Sequence, residues 1–314
     1  MPWAARLILA LDQVYASEIK STASFPSQEL KSRASSGEPF KPAPSHDMIA
    51  PSAPGTQPMR LAVISDIHGN VAALEAALDD IARRGITNII CLGDCASGMC
   101  WPGETTRLLM EKNIPTIRGN HDRWLTDRVA EGLKGQDGFA FQETTADQRA
   151  WLYGLPERLT PAPGILACHG TPSSDLHNLL EDPRHGVLMP SPLSAIRERL
   201  GEDGMAARVV LCGHSHQASV IHMPGDGPLV VNPGSLGLPG FRVTRGDNPH
   251  RAEARSPHAR YAILHVAEDA KPMAELVSIV YDWESAARRA EAVGANHAWP
   301  HVLRTGYLPE SLDE

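Results

Sequence analysis

The stretch Arg60-Leu61-Ala62-Val63-Ile64-Ser65-Asp66-Ile67-His68-Gly69-Asn70 decides how the rest of the chain is read. Leu61 to Ile64 is a short apolar run, a buried-strand candidate, and it stops at an aspartate, a histidine, a glycine and an asparagine. Directly behind it, Val71 to Arg84 carries Leu74, Ala77, Leu78 and Ile81 at helical spacing. The segment therefore reads strand, polar loop, helix. Asp66 and His68 stand two residues apart, a spacing that on an extended chain sends both side chains to one side, where they would converge on one cation.

The same arrangement recurs outward from this point. Asn88 to Leu92 is an apolar run ending at Gly93-Asp94-Cys95, Glu104 to Lys112 reads as the next helix, and Ile114 to Ile117 leads into Gly119-Asn120-His121-Asp122. Ile165 to Cys168 and Val209 to Cys212 are buried-strand candidates ending at Cys168-His169-Gly170 and Gly213-His214-Ser215-His216, with a helix expected between them at Pro192 to Leu200. Strands alternating with helices predict an α/β fold. Between these blocks, Asp147 to Tyr153 looks helical and Gly132 to Gly138 looks like a loop. Further on, Leu229 to Val231 precedes Asn232-Pro233-Gly234-Ser235, Tyr261 to Val266 and Glu275 to Val280 read as strands, Gly246 to Pro257 as an exposed loop, and Ser285 to Val293 as an amphipathic helix.

These motifs hold enough Asp, His and Asn side chains for two metal ions, which points to a hydrolase with a dinuclear centre. Asp66, His68 and His216 are assigned to one ion and Asn120, His169 and His214 to the other. Asp94, alone in its motif, is the natural bridge, because a carboxylate can offer each ion a separate oxygen. An isolated Asp-x-His or His-x-His is ordinarily a cap, a turn or a hydrogen-bonded core histidine. Five such blocks in order, each after a strand candidate, reverse that reading. Mixed nitrogen and oxygen ligation suits manganese, the preferred assignment, with iron, zinc, cobalt and nickel as alternatives.

Taken together, Asp-x-His, Gly-Asp, Gly-Asn-His-Asp, His-Gly and Gly-His-x-His resemble the calcineurin-like metallophosphoesterase superfamily over about Met59 to Ser235. The resemblance implies a four-layer αββα sandwich, two mixed sheets between helices, with the metals at the strand ends. The chain's compact size and the Asn232-Pro233-Gly234-Ser235 block are similar to small bacterial phosphodiesterases of the YfcE-like kind. Protein serine/threonine phosphatases and symmetrical dinucleotide polyphosphatases continue Gly-Asp with an acidic-Arg-Gly sequence. Here Cys95-Ala96-Ser97-Gly98 stands instead, without the phosphate-gripping arginine.

The resemblance implies in-line attack on a small phosphoester by a metal-bridging hydroxide, with no covalent protein nucleophile. His121 would protonate the departing alkoxide or stabilise the transition state, and Asp122 would either orient its ring or serve as a loop anchor. Two dications less Asp66, Asp94 and one hydroxide leave about +1, which a phosphodiester monoanion balances. A monoester would need further positive charge, with Arg118 or Arg123 as its source, although a surface or packing role is the simpler reading of each. The alternatives are a protein or nucleotide phosphatase, and a noncatalytic scaffold that keeps the fold. No residues for binding the ester group can be named from the sequence.

The bulk numbers agree with a globular enzyme. The chain has 314 residues, 42% hydrophobic, and a formal charge of -8, so no broad basic surface for nucleic acid is expected. Five cysteines are an odd number and form no small disulfide framework, so a reducing compartment, the cytoplasm, is expected. Cys91, Cys168 and Cys212 read as buried apolar residues, and Cys95 and Cys100 as surplus to the oxygen and nitrogen ligands. No run approaches the roughly twenty apolar residues of a membrane span. Residues 1–58 are rich in Ser and Pro and read as a disordered extension; residues 59–314 read as the metallophosphoesterase domain with a C-terminal helical extension. Met1 and Met59 are both candidate translation starts.

Overall fold

A computed structural model describes residues 59–127, 132–244 and 246–310. The extension expected at residues 1–58 lies outside the described residues. In chain order the elements are β1 (Met59–Ile64), α1 (Val71–Arg83), β2 (Asn88–Cys91), α2 (Pro102–Glu111), α3 (Asn120–Asp127), α4 (Gly135–Glu143), α5 (Ala146–Tyr153), β3 (Arg158–Leu159) and β4 (Ile165–Cys168). There follow β5 (Glu181–Arg184), β6 (Val187–Pro190), α6 (Leu193–Ala206), β7 (Val209–Leu211), β8 (Ser219–His222), β9 (Leu229–Asn232), β10 (Gly240–Val243) and β11 (His250–Glu253). The last are β12 (Ala259–Val266), β13 (Met273–Ile279), α7 (Trp283–Ala292) and α8 (Ala298–Thr305).

All three sheets among the described residues are mixed, and two of them carry the core. The first has the order β13-β12-β1-β2, with β1 parallel to β2 and antiparallel to β12. The second has the order β3-β4-β7-β9-β8, in which β4, β7 and β9 run parallel and the edge strands antiparallel. Strand alternation divides the apolar residues between two faces. Leu61 and Val63 of β1 join Ala262 and Leu264 of β12 and Ile165, Ala167, Val209, Leu211 and Val231 of the second sheet in one buried cluster. Their neighbours Ala62 and Ile64 pack on the opposite side with Leu74, Ala77 and Ile81 of α1 and Ala286, Ala287 and Ala290 of α7. On the far side of the second sheet, Val210 and Val230 pack against Ile196 and Leu200 of α6. This double burial explains why the central strands are continuous apolar runs.

The helices begin where their capping chemistry allows. The Asn70 side chain accepts from Ala73 N–H at 3.2 Å at the start of α1, and Thr145 with Gln148 forms a capping box at α5. α6 runs past the expected Leu200 to Ala206, with a kink at Gly201, whose φ is 61°.

Several expectations are corrected. Ile114 to Ile117 is reduced to a single bridge, Cys91 to Thr116, because Pro115 has no N–H to give a ladder. The loop expected at Gly132 to Gly138 gives way to α4 from Gly135, and the loop at Gly246 to Pro257 contains β11. β11 belongs to a third sheet, β10-β11-β6-β5, that the sequence pattern did not announce. Its strands Glu181-Asp182-Pro183-Arg184 and His250-Arg251-Ala252-Glu253 carry charges and a proline rather than apolar alternation. β5 pairs with its neighbour β6 and β11 with its neighbour β10, but neither pair carries an apolar alternation to read, and the two pairs meet only through Arg251 and Val187. α8 likewise extends the helical C-terminus beyond the single helix expected there.

Candidate metal centre

Asp66 and His68 lie beyond the end of β1, and their convergence does not come from strand pleating. Asp66, His68, Asp94, His214 and His216 all have left-handed backbone, with φ of 54°, 50°, 53°, 65° and 58°. Non-glycine residues adopt this conformation at a cost of order 1 kcal/mol or more each, so the surrounding structure holds the loops in these bends. Hydrogen bonds supply the restraint. Asp66, His68 and Gly69 N–H donate to the carbonyls of Gly93, Asp94 and Cys95 at 3.0, 3.0 and 2.9 Å, stitching the first two motif loops side by side. Close approach also demands glycine: a Cβ on Gly213 would stand 2.1 Å from Ser65 Oγ, and one on Gly119 2.2 Å from Asp94 Oδ1.

Two groups of side chains result: Asp66, His68 and His216 in one, Asp94, His169 and His214 in the other. In the first, His68 Nε2 lies 3.1 Å from His216 Nε2 and 4.0 Å from Asp66 Oδ1, and His216 Nε2 lies 3.3 Å from that oxygen. In the second, His169 Nε2 lies 3.3 Å from Asp94 Oδ2 and 3.0 Å from Asn120 Oδ1. Asp94 Oδ2 is also 3.8 Å from His68 Nε2, so one carboxylate oxygen faces both groups.

Backbone carbonyls select the histidine tautomers. His68, His169 and His216 each donate from Nδ1, to Ser97 O at 2.6 Å, Leu92 O at 2.7 Å and Leu238 O at 2.8 Å, which turns Nε2 into the site, a lone-pair donor wherever the ring is neutral. His214 does the reverse, with Nε2 3.1 Å from Leu176 O and Nδ1 left for the site. Two imidazole lone pairs therefore face each other across 3.1 Å, and Asp66 Oδ1 is buried with no hydrogen-bond partner. The other Asp66 oxygen is held by Ser65 Oγ at 2.6 Å and His214 N–H at 3.1 Å. Converging, unpartnered nitrogen and oxygen atoms in a buried site fit divalent cations.

Burial and proximity move the ionisation of these groups. Burial, with His216 beside it, lowers His68 to about 4, and burial likewise lowers His214 to about 4. Burial also opposes charge on His169, but the Asp94 carboxylate prevails and raises it to about 10. Asp94 is held well below the usual carboxylate range: burial works against ionisation, and His169 and His121 outweigh it. Asp66 falls to about 2 against its burial through His216.

His121, at the start of α3, lines the cavity beside these groups, its ring 5.4 Å from that of His68. Its N–H donates to Asp94 Oδ1 at 2.9 Å and its Nδ1 lies 2.8 Å from Asp137 Oδ1. The residue that orients the ring is thus Asp137, from α4, and not Asp122. Ser97 Oγ also bonds Asp137, so the Cys95-Ala96-Ser97-Gly98 stretch holds this carboxylate. Burial lowers the His121 pKa, but Asp94 and the Asp137 bond prevail and raise it above the ordinary value. Asp122 is a fully buried anchor accepting N–H bonds from Asp94 at 2.8 Å, Cys95 at 2.9 Å and Gly119 at 3.0 Å. Burial and Asp94 push its carboxyl up to about 6 against those three donors.

Other candidates have structural duties. Asn232 Nδ2 donates to Gly213 O at 2.9 Å and Ser235 Oγ to Asp66 O at 2.8 Å, so both brace motif loops. Arg118 pairs with Glu157 at 3.0 Å and Arg123 bidentately with Asp175 at 2.7 and 3.0 Å, and neither lines the cavity. Arg242 of β10 does, and no sequence pattern marked it. All five cysteines are buried and free, and none is in either ligand group. Among the described residues no helix is long and apolar enough to cross a membrane.

A 62-residue stretch is 48% identical to an uncharacterized protein of Methanocaldococcus jannaschii, a match covering 20% of this chain and 26% of that protein, so the chain spans only about a quarter of that relative. A crystal structure of a metallophosphoesterase from Sphaerobacter thermophilus superposes with a TM-score of 0.60 at 21% identity, covering 80% of this chain and 100% of the other. That of a hypothetical protein from Pyrococcus horikoshii OT3 gives 0.58 at 19% identity, covering 80% and 99%. At these identities the structures show a shared fold. A family model for the calcineurin-like phosphoesterase superfamily domain matches residues 59–269, which hold every one of the converging aspartates and histidines, and the chain belongs to that superfamily.

Proposed function

We propose that this phosphoesterase uses two divalent ions, manganese by preference, to hydrolyse a small phosphodiester. The observation that carries this reading is Asp94 Oδ2, which faces His68 Nε2 at 3.8 Å and His169 Nε2 at 3.3 Å and so joins two ligand groups. Asp66, His68 and His216 would hold one ion and Asn120, His169 and His214 the other, with Asp94 common to both. Such a pair supplies positive charge to phosphate oxygens and a hydroxide nucleophile near neutral pH. His121, held at Nδ1 by Asp137, presents Nε2 to the cavity and delivers a proton to the departing oxygen. Asp122 fixes the loops that carry Asp94 and Asn120.

Manganese-reconstituted protein is expected to turn over bis-p-nitrophenyl phosphate with a higher kcat/KM than p-nitrophenyl phosphate. No hydrolysis of either would overturn the enzyme reading, and faster monoester turnover would overturn the diester preference.

The Asp137 contact gives a second expectation. A histidine pKa raised by a carboxylate keeps the acid form up to a higher pH and loses it as pH climbs through that value. Asp137→Asn removes one of the two groups holding the His121 pKa up, so the alkaline limb of the kcat profile moves to lower pH, with a loss of roughly tenfold at the wild-type optimum. An unmoved alkaline limb in the kcat against pH profile would separate Asp137 from His121 function.

A further inference from the structure

The cavity that begins at the metal centre is about 650 Å³, a size suited to a whole small-molecule ligand rather than a phosphate alone. Where it meets the ligand groups its lining is polar, at His121, His214 and His216. Its outer wall has a different chemistry. Leu238, Val302 and Leu308 form a separate buried apolar cluster, with Phe241 and Trp299 packed against it. Both Phe241 and Trp299 also line the cavity. The wall starts at the site itself, because the Phe241 ring meets the His216 ring edge-on at 4.7 Å between centroids. Trp124, another lining residue, stands against His121 at 4.6 Å between ring centroids. Trp299, Val302 and Leu308 come from α8 and the turn after it, beyond residue 269 where the family match ends.

Charge along this wall is sparse. Among the described lining residues Arg242 is the one lysine or arginine, and its Nη2 donates to Pro309 O at 3.2 Å. A chain of further phosphates would meet one guanidinium, already bonded to a backbone carbonyl, against several added negative charges, and most of its desolvation cost would go unmatched. An apolar ring would instead bury its surface against Phe241, Trp299 and Leu308 at a gain proportional to area.

Resting on the hydrolase reading above, we propose that this wall is the ester-group subsite: the substrate phosphorus carries a bulky apolar group of aryl size or larger, and α8 is the element that selects it. Binding of three non-hydrolysable phosphonates, with one nucleoside phosphorothioate ester for comparison, tests this. Methylphosphonate, phenylphosphonate, 1-naphthylmethylphosphonate and adenosine 5′-O-thiomonophosphate are titrated calorimetrically into the full chain loaded with manganese.

Affinity is expected to rise at least tenfold from the methyl to the naphthylmethyl compound. Trp299→Ala and Leu308→Ala should each cut that ratio below about threefold, and Trp299→Phe should restore most of it. A flat wild-type series, a ratio unchanged in both alanine variants, or tighter binding of the thiomonophosphate than of the naphthylmethyl compound would overturn the proposal. Methylphosphonate binding with a flat series sinks this inference alone, whereas no binding of any probe, together with no turnover of either nitrophenyl ester, sinks the hydrolase reading with it.

Discussion

Asp94→Asn is expected to lower kcat by on the order of 10³-fold and to reduce bound manganese below two ions per chain. The substitution is nearly isosteric, so the loss isolates charge and lone pairs. One carboxylate oxygen, Oδ2, faces both ligand groups, and the other accepts the His121 N–H at 2.9 Å. An amide can satisfy only one of those demands. With its NH₂ toward the metals it repels them, and with its NH₂ toward His121 N–H it sets two donors together. Metal analysis after gel filtration, paired with kcat, reads both consequences. Retention of two ions and wild-type turnover would remove Asp94 from its shared position.

His121→Ala is expected to leave metal content intact and to lower kcat by about 10² to 10⁴-fold, the range for loss of a positioned acid. The size of the loss should depend on the leaving group. p-Nitrophenolate departs readily as an anion, so its ester suffers least, while an alkyl alcohol needs a proton and its ester suffers most. A loss independent of leaving-group pKa would assign His121 to charge stabilisation rather than proton delivery. Asp137 is the control: it touches His121 at 2.8 Å but belongs to neither ligand group.

The chemistry-bearing residues were legible because each follows a buried apolar run, in most cases a doubly buried strand. An apolar run such as Leu61 to Ile64 that stops at Asp-x-His announces both the strand and the loop at its end. Asp137 was not legible. It sits in the first turn of α4, in a stretch read as a loop, and its meeting with His121 spans two helices. Asp122 was visible as a motif member, yet its partners are the N–H groups of Asp94 and Cys95 on another loop as well as Gly119. The third sheet escaped for a different reason, since Glu181 to Arg184 and His250 to Glu253 each pair with a neighbouring strand through backbone bonds and carry no apolar period.

By itself, then, the sequence determined the α/β alternation, the order of the motifs and the residue types available for metals, because strand burial and ligand chemistry are local properties. Tertiary structure alone decided that five of these residues bend into left-handed backbone, that Asp137 rather than Asp122 steadies His121, and that α8 and the turn after it wall the cavity with Trp299, Val302 and Leu308. Each of those outcomes depends on contacts between segments far apart in the chain, and no spacing along the chain encodes such a distance.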